Sequence, residues 1–552
     1  MQVRRSFLLR VGAFATTLTL IAGVGLATAE EGPQPVEFTH HNAVDAPAPV
    51  PGAVFGTGPA TKTGTAICTT ATSNAANVNT DCESTAGPHN ETSIAVNPTN
   101  HNNMIGGAND YQLGLNPAGH LTESILSRAH VTFDGGKTWS NYPISSNFAY
   151  QATGDPSVAF DADGHAYYAT LGFRFVGPIN ATNPDVLVGN SGDGGKTWST
   201  SVVGHGSGVA TSVGDLLDKE YVAAWGHGNA IVTFGDFRLL QKGAFSSARI
   251  HAVVTHDGGK TWTAPVVISG ALDQAFVSTP TVSADGRVFV SFLNTGHLDP
   301  SSADFTRDDY MVVQVNPQTG APLGAPVKVA KVFDGNCDFP IAFGRPTYQD
   351  SVFRSWAAGN ITADPTNANH LAVVWYDMRN TAGIPFSTCD FLAGKFADPY
   401  AVTTNSDPIA SESFDGGQTW SAATAIPLPG DQFQGWSAFD ASGALRIGTF
   451  DRSYDAANHL YGYSLLTETG PGTFSKTQVS TVLSNPTTGD RWFARNVNPG
   501  FPHATAFLGD YSNIAVIPGT TSVVAYWTDM RENATFAGVT RKGEDAFFAL
   551  IP

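Results

Sequence analysis

The chain has 552 residues, of which 42% are hydrophobic and only 14% are charged, and its formal net charge is −18. This length is ample for a large core, and beyond the N-terminus no apolar run approaches the roughly 20 residues of a membrane-spanning helix. The acidic balance argues against nucleic acid and anionic membrane surfaces as partners, although it is also an ordinary means of keeping an exported protein soluble.

Residues 1–29 have the three parts of an export signal. Arg4 and Arg5 precede an apolar stretch of about sixteen residues, and a small-x-small site predicts cleavage after Ala29. The paired arginines also fit the twin-arginine export pattern, with an ordinary secretory signal as the alternative. The sequence therefore predicts a secreted, extracellular protein.

Residues 30–85 are predicted to be a leader, because their first part, 30–64, is rich in Pro, Ala and Gly and lacks periodicity. Four cysteines in an exported chain suggest two disulfides. Nearness in sequence favours Cys68–Cys82 and Cys337–Cys389 among the three possible connectivities. The cysteine spacing does not indicate a zinc site.

From about residue 86 to the end, the sequence predicts β-structure almost exclusively. Short alternating apolar runs lie between Gly, Asp and Asn turns, as in "PSVAFDADGHAYYAT" at 156–170, and almost nothing shows helical spacing. The Asp-Gly turns supply the positive φ that tight hairpins need.

The same hairpin plan recurs along the chain. Seven units begin near residues 91, 155, 218, 276, 355, 433 and 509. Four strands in roughly sixty residues is the size of one propeller blade, and a blade buries both faces only between neighbours. We therefore predict an all-β fold with a seven-bladed propeller of four-stranded antiparallel blades over 86–552, or six blades if one unit is an insertion. The last unit supplies three strands, so an N-terminal segment is expected to complete it.

The phrase "FDGGKTWS" at 133–140 returns three more times. Copies of S/T-x-D-x-G-x-T-W span Thr132–Trp139, Ser191–Trp198, Thr255–Trp262 and Ser413–Trp420. In each copy the aspartate is expected to accept backbone N–H bonds inside a turn, while the hydroxyl and the indole lock the hairpin. The structural aspartates are Asp134, Asp193, Asp257 and Asp415.

This repeat is the Asp-box of bacterial neuraminidases, and residues from about 90 to 552 resemble the sialidase superfamily, particularly secreted bacterial exo-α-sialidases. The resemblance implies a propeller whose Asp-box turns lie on the face opposite the active site. It also implies three arginines for the sugar carboxylate, an aspartic acid as general acid and a Tyr–Glu couple as nucleophile. The family's Arg-Ile-Pro motif near the start of the propeller is absent from this chain.

Propeller topology places the ends of second strands and the starts of first strands on the top face. Arginines at the ends of second strands, which grip carboxylates bidentately, are Arg174, Arg238, Arg379 and Arg531. We predict that they bind an anionic ligand. The alternative is that arginines pair with the aspartates two residues earlier and tie blades together; these are Asp236, Asp377 and Asp529.

Motif by motif, the resemblance makes Tyr511 of "GDYSNI" the nucleophile and Glu220 of "DKEY" its base, with Asp110 or Asp155 as the acid. The structural alternatives are a tyrosine that only packs and an ordinary exposed glutamate. Two functions remain open. The first is a glycoside hydrolase acting on an acidic glycan, led by sialic acid. The second is a non-catalytic propeller that binds extracellular glycan or protein through its top face.

No cofactor is predicted. The histidines lack the spacing of a metal hydrolase, and Asp-rich turns such as 161–164 could hold structural calcium but lack the ligand series of a calcium loop. The expected partner is extracellular carbohydrate, and the expected state is a monomer.

Overall fold

A computed structural model of the protein describes most of the chain after residue 65. The described residues are 66–70, 76–82, 87–115, 121–144, 150, 152–174, 182–208, 213–239, 245–295, 307–335, 338–342, 345–351, 353–355, 359–380, 397–487, 508–536 and 538–552. The predicted signal at 1–29 and the pair Cys337–Cys389 therefore lie outside them.

The described residues form seven antiparallel sheets of four or five strands each. The innermost strand of every sheet contacts the innermost strand of the next, and the seventh contacts the first. The sheets thus close around one axis as a seven-bladed β-propeller, which confirms the all-β prediction, and the six-bladed alternative is wrong. The described part of the chain contains no helix long and apolar enough to cross a membrane.

The strands of the first four blades follow in chain order. Blade 1 contains β1 (Cys68–Thr69), β3 (His89–Val96), β4 (Met104–Leu115), β5 (Leu121–Thr132) and β6 (Ser140–Pro143). Blade 2 contains β7 (Ala152–Phe160), β8 (Ala166–Phe173), β9 (Asp185–Ser191) and β10 (Ser199–Gly204). Blade 3 contains β11 (Gly214–Trp225), β12 (Asn229–Leu239), β13 (Phe245–Thr255) and β14 (Val266–Val267). Blade 4 contains β15 (Ala275–Val282), β16 (Val288–Asn294), β17 (Asp309–Val315) and β18 (Val327–Lys331).

The last three blades and two small hairpins contain the remaining strands. Blade 5 contains β21 (Asn360–Ala363), β22 (Leu371–Asp377), β23 (Asp407–Ser413) and β24 (Thr424–Ala425). Blade 6 contains β25 (Gln432–Phe439), β26 (Leu445–Asp451), β27 (Gly462–Gly470) and β28 (Thr473–Gln478). Blade 7 contains β2 (Val78–Asn79), β29 (Asn513–Val516), β30 (Val523–Asp529) and β33 (Asp545–Ile551). The hairpins are β19 (Ile341–Ala342) with β20 (Arg345–Pro346), and β31 (Asn533–Phe536) with β32 (Val539–Lys542).

The ring closes where the N-terminal segment reaches the last blade. Strand β2 pairs with β33 as the outermost strand of blade 7, whereas β1 pairs with β6 at the outer edge of blade 1. The disulfide Cys68–Cys82 joins these two short segments across the seam between the blades. Leader residues therefore belong to the propeller, which begins before the predicted boundary at residue 86.

Each of the four repeated turns connects the third and fourth strands of its blade. In the first turn, Asp134 Oδ1 accepts the N–H of Thr138 at 3.0 Å, and the Trp139 indole donates to the Gly136 carbonyl at 3.1 Å. Gly136 has a φ of 91°, and a Cβ there would lie 2.1 Å from Phe548 of blade 7, so only glycine fits. Trp139 is fully buried and packs on the same phenylalanine. The turn thus fixes a hairpin and seals one blade against the preceding one.

Candidate functional site

The innermost strands carry the same irregularity in several blades, at the top end where they begin. The register shifts between Asn90 and Ser93 in β3, and equivalent β-bulges occur in β7, β11, β15 and β25. One residue per bulge has a positive φ between 48° and 57°: Glu91, Asp155, Lys219, Val277 and Gln434. Positive φ is unfavourable for such side chains, and bulges commonly re-aim a side chain. The series marks one ring of positions around the axis.

Three of these bulges present charged side chains that meet two further charges. Lys219 Nζ lies 2.7 Å from Asp155 Oδ2, 3.0 Å from Asp510 Oδ2 and 3.8 Å from Glu91 Oε1. Arg354 Nε lies 2.6 Å from Asp510 Oδ1, and a terminal nitrogen of the same guanidinium lies 3.6 Å from Glu91. We call these five residues the axial cluster. It joins segments from blades 1, 2, 3 and 7 with the segment that precedes β21.

Burial sets the charge state of the axial cluster. Asp155 is the most exposed member at 7% of its surface, and the other four are at most 2% exposed. Burial, followed by the nearby charge of Asp155, raises the pKa of Glu91 well above its usual range. The raised pKa favours the protonated form of Glu91. Asp155 and Asp510 are paired with Lys219, and Asp510 is also paired with Arg354.

Two predicted catalytic residues, Tyr511 and Glu220, lie beside the axial cluster. The Tyr511 ring lies 5.8 Å from Lys219 Nζ, and its hydroxyl donates to the Pro156 carbonyl at 3.1 Å. Burial raises the pKa of both Tyr511 and Glu220 well above their usual ranges, and the charge of Glu220 contributes to the tyrosine's shift. Neither carboxyl oxygen of Glu220 has a hydrogen-bond partner among the described residues. Tyr511 and Glu220 therefore border the same cluster, but no hydrogen bond joins them among the described residues.

Asp110, the other proposed acid, lies in a different cluster. His89 Nε2 is 3.1 Å from Asp110 Oδ1, and Arg128 Nε is 3.3 Å from its Oδ2. All three side chains are buried. Only Asp155 of the two candidate acids therefore belongs to the axial cluster.

Two of the predicted ligand-binding arginines are held by the aspartates two residues before them. Arg379 contacts Asp377 through Nε at 3.0 Å and through a terminal nitrogen at 2.7 Å, and the Trp375 indole donates to the same carboxylate at 2.9 Å. Arg531 contacts Asp529 in the same bidentate way, at 2.9 and 2.7 Å. The aspartates thus occupy the carboxylate-binding edge of both guanidinium groups.

The other two predicted arginines pair with partners that the sequence spacing does not indicate. Arg238 contacts Asp215 on the neighbouring strand and not Asp236. A terminal nitrogen of Arg174 lies 2.8 Å from Asp185 and 2.7 Å from the Tyr150 hydroxyl. The expectation of an Arg238–Asp236 pair is therefore wrong, because Asp215 of β11 faces Arg238 of β12 in the sheet register.

No protein-family model matches this chain, and no curated protein does. Solved structures similar to it include a protein of unknown function from Dyadobacter fermentans, at 10% identity over 86% of this chain and 97% of that one, with a TM-score of 0.41. The α-L-arabinanase of Penicillium chrysogenum in complex with arabinobiose is 10% identical over 86% and 98%, with a TM-score of 0.40. A Hadza microbial sialidase is 9% identical over 78% and 75%, with a TM-score of 0.39. The similar structures thus include glycosidases of more than one specificity.

Sequence analysis missed four members of the axial cluster: Glu91, Lys219, Arg354 and Asp510. The motifs "DKEY" and "GDYSNI" contain Lys219 and Asp510, but the resemblance indicates their neighbours Glu220 and Tyr511. A usable signal was the equal spacing of 64 residues that separates Glu91 from Asp155 and Asp155 from Lys219. Arg354 precedes β21 outside any repeated motif, so only the folded ring reveals it.

The axial cluster is suited to proton transfer and not to metal binding. A protonated carboxyl group can donate a proton, and an ionised carboxylate beside it can accept one. The ammonium and guanidinium groups already lie between these carboxylates, where a metal ion would have to bind. The group of His and Asp side chains that could hold a metal in the described structure lies at the seam, among Asp81, His89 and Asp545.

Proposed function

We propose that the protein is a glycoside hydrolase whose active site is the axial cluster, with Glu91 as general acid and Asp155 as its partner carboxylate. The observation that carries the proposal is the pair of carboxyl groups, Glu91 and Asp155, held around Lys219 at the centre of the propeller, where burial raises the pKa of Glu91. Hydrolases place two carboxyl groups in different environments, so that their pKa values differ and one acts as the acid and the other as the base. Asp155 is the least buried member of the cluster, at 7% exposure.

The spacing of the two carboxyl groups favours retention of anomeric configuration. Both lie close to Lys219 Nζ, Asp155 at 2.7 Å and Glu91 at 3.8 Å. They therefore lie no farther apart than the lower end of the roughly 6.5–9.5 Å range of inverting enzymes. In a retaining reaction, Asp155 would attack the anomeric carbon while Glu91 protonates the leaving oxygen, and water would then release the sugar.

We further propose an acidic glycan as substrate, with a sialoside first, as the resemblance of the sequence suggests. The four arginines selected from sequence are engaged by aspartates or a tyrosine. Lys219 and Arg354 are the cations adjacent to the proposed acid, and a sugar carboxylate would bind them in competition with Asp155 and Asp510. Tyr511 retains its place as an alternative nucleophile because it borders the same cluster.

Non-catalytic glycan binding is the second candidate function, and the tight burial of the axial cluster favours it. Buried ion pairs that satisfy one another can also serve as a structural plug of the axis. In that case the top face would recognise a ligand without transforming it.

The deciding experiment compares Asp155→Asn with Asp163→Asn, the same substitution in the strand 1–2 turn of the same blade. Purified protein is assayed on fluorogenic glycosides that include a sialoside, an arabinofuranoside and neutral hexosides. We expect turnover of one glycoside, lost by at least about 100-fold in Asp155→Asn and Glu91→Gln, as for a removed acid or base, and kept in Asp163→Asn.

The remaining outcomes separate the two functions. Turnover that survives both axial substitutions would retain the hydrolase and reject this site, with Tyr511→Phe as the next variant. Absence of turnover in folded protein, together with retention on a glycan array, would establish the binding function.

A further inference from the structure

The seam between blades 7 and 1 brings together three side chains from separate segments. Asp81 follows β2, His89 begins β3 and Asp545 begins β33. One ligand atom from each of these residues lies within 4.8 Å of the others. His89 Nε2 is 3.7 Å from Asp81 Oδ2. Donors on one zinc ion, at about 2.0–2.2 Å from it, lie no more than about 4.4 Å apart, so a small side-chain adjustment would bring these three donors onto one ion.

At the seam, carboxyl groups outnumber the basic side chains that lie near them. Three carboxyl groups, those of Asp81, Asp110 and Asp545, lie near two basic side chains, and both basic side chains, His89 and Arg128, contact Asp110, at 3.1 and 3.3 Å. A carboxylate in this position is destabilised unless a positive charge joins it.

His89 supplies a second, independent indication. Its side chain is fully buried, its Nε2 lies 3.1 Å from Asp110 Oδ1, and its Nδ1 has no hydrogen-bond partner among the described residues. A buried ring nitrogen without a hydrogen bond loses free energy that a metal ion would restore. Imidazole nitrogen combined with carboxylate oxygen suits zinc(II) and related first-row ions better than calcium or magnesium.

We propose that Asp81, His89 and Asp545 bind one divalent transition-metal ion of the zinc(II) class, which fastens the first blade to the last. Asp81 and Asp545 are each only partly buried, so an ion can reach the site and water can complete its coordination. Because Asp545 lies 456 residues after His89 in the sequence, the unfolded chain does not bring the three ligands together, and binding stabilises the closed ring. The ion would act next to the disulfide, since Asp81 precedes Cys82 directly.

The test is direct titration of chelator-treated protein with Zn²⁺, with Ca²⁺ for comparison, by calorimetry. Co²⁺ absorption reports whether nitrogen and oxygen ligands surround the ion. We expect one Zn²⁺ per chain and a higher melting temperature with Zn²⁺ than without it. His89→Gln and Asp545→Asn should each weaken binding by at least about tenfold. His227→Gln is the matched control, because it removes an exposed histidine paired with Asp163 in blade 2.

Each result either supports or overturns the site. Failure of the unsubstituted protein to bind Zn²⁺ would show that His89 is a histidinium ion paired with the carboxylates. Equal binding by Asp545→Asn and the unsubstituted protein would place the ion elsewhere. If His89→Gln does not fold, Asp545→Asn decides alone, because its partly exposed position tolerates an isosteric amide.

Discussion

The two ends of the propeller use carboxyl groups in opposite ways. At the bottom, Asp415 sits in an exposed turn, where hydrogen bonds from the hydroxyl and N–H of Thr419 lower its pKa to about 2. At the top, burial raises the pKa of Asp218 to about 7 and that of Glu91 well above its usual range. The bottom stabilises the charge and the top disfavours it. Of the carboxyl groups compared here, those with a pKa near or above neutral pH lie at the top.

The same contrast separates architecture from chemistry. The bottom turns repeat both their backbone and their side chains in four blades. The bulges at the top repeat the backbone, yet the side chain changes from Glu91 and Asp155 to Lys219, Val277 and Gln434. A repeated backbone with a changing side chain shows that the bulge itself is structural. The fold therefore requires the bulges, but it does not require the charged side chains on three of them.

Removing a charge from the axial cluster should cause the largest loss of stability. Lys219→Met removes the ammonium that contacts Asp155 and Asp510, and leaves buried carboxylates without their partner. We expect the free energy of unfolding to fall by about 3–5 kcal/mol, measured by urea denaturation. Lys260→Met, in an exposed turn at the bottom, should change it by less than about 0.5 kcal/mol. Equal stability of the two variants would mean that the axial charges are well solvated.

The seam closes the ring between blades 7 and 1, so opening it should lower the stability of the propeller. Replacing Cys68 and Cys82 by serine removes a link with a sequence separation of 14 residues. We expect a loss of about 3 kcal/mol, the chain-entropy value for such a loop, seen as a lower melting temperature. Thr69→Ala, in the same strand, is the control, because it leaves the disulfide in place. A melting temperature unchanged by the cysteine substitutions would show that strand pairing alone closes the ring.

The pH dependence of stability should distinguish two aspartates of one strand. Asp218 has a pKa of about 7 in the folded protein against 3.8 for the free side chain, so folding favours its protonated form. Its contribution is complete below pH 3.8 and is lost as the pH rises to about 7. Asp218→Asn should flatten the decline of stability over this window, as followed by melting temperatures at successive pH values.

Asp215 provides the control, because its pKa shifts in the opposite direction. Its pKa is lowered despite partial burial, because Arg238 and Ser207 donate to it. Its contribution is therefore present above pH 3.8 and is lost in stronger acid. Asp215→Asn should reduce stability at neutral pH and leave the decline between pH 4 and 7 in place. The same profile for both variants would contradict the assignment.

The blades could be predicted from the sequence because their signals are local. A turn such as the one around Asp134 needs only eight consecutive residues, and strand alternation needs only its own segment. The count of seven and the completion of the last blade by an N-terminal strand followed from those local patterns. The leader boundary did not, because β1 and β2 are too short to show a pattern of their own.

The axial cluster could not be predicted in the same way, because it exists only after the ring has closed. Glu91 and Asp510 meet across more than four hundred residues of sequence, and Arg354 joins them from a segment without a motif. The arginines selected from sequence illustrate the limit. Spacing alone correctly indicated the pairs of Arg379 and Arg531, whereas Arg238 follows the sheet register to Asp215.

The smallest effect is expected at a bottom turn. Asp193 accepts bonds from Ser191, Lys196 and Thr197 through Oδ1, and the Thr197 hydroxyl through Oδ2 at 2.7 Å. In Asp193→Asn the amide oxygen can keep the first set, and only the hydroxyl bond at Oδ2 is lost. We expect a cost of about 1 kcal/mol by urea denaturation and no change in any glycosidase activity. A loss of activity without a loss of stability would connect the bottom face to the chemistry and end the separation of roles between the two ends.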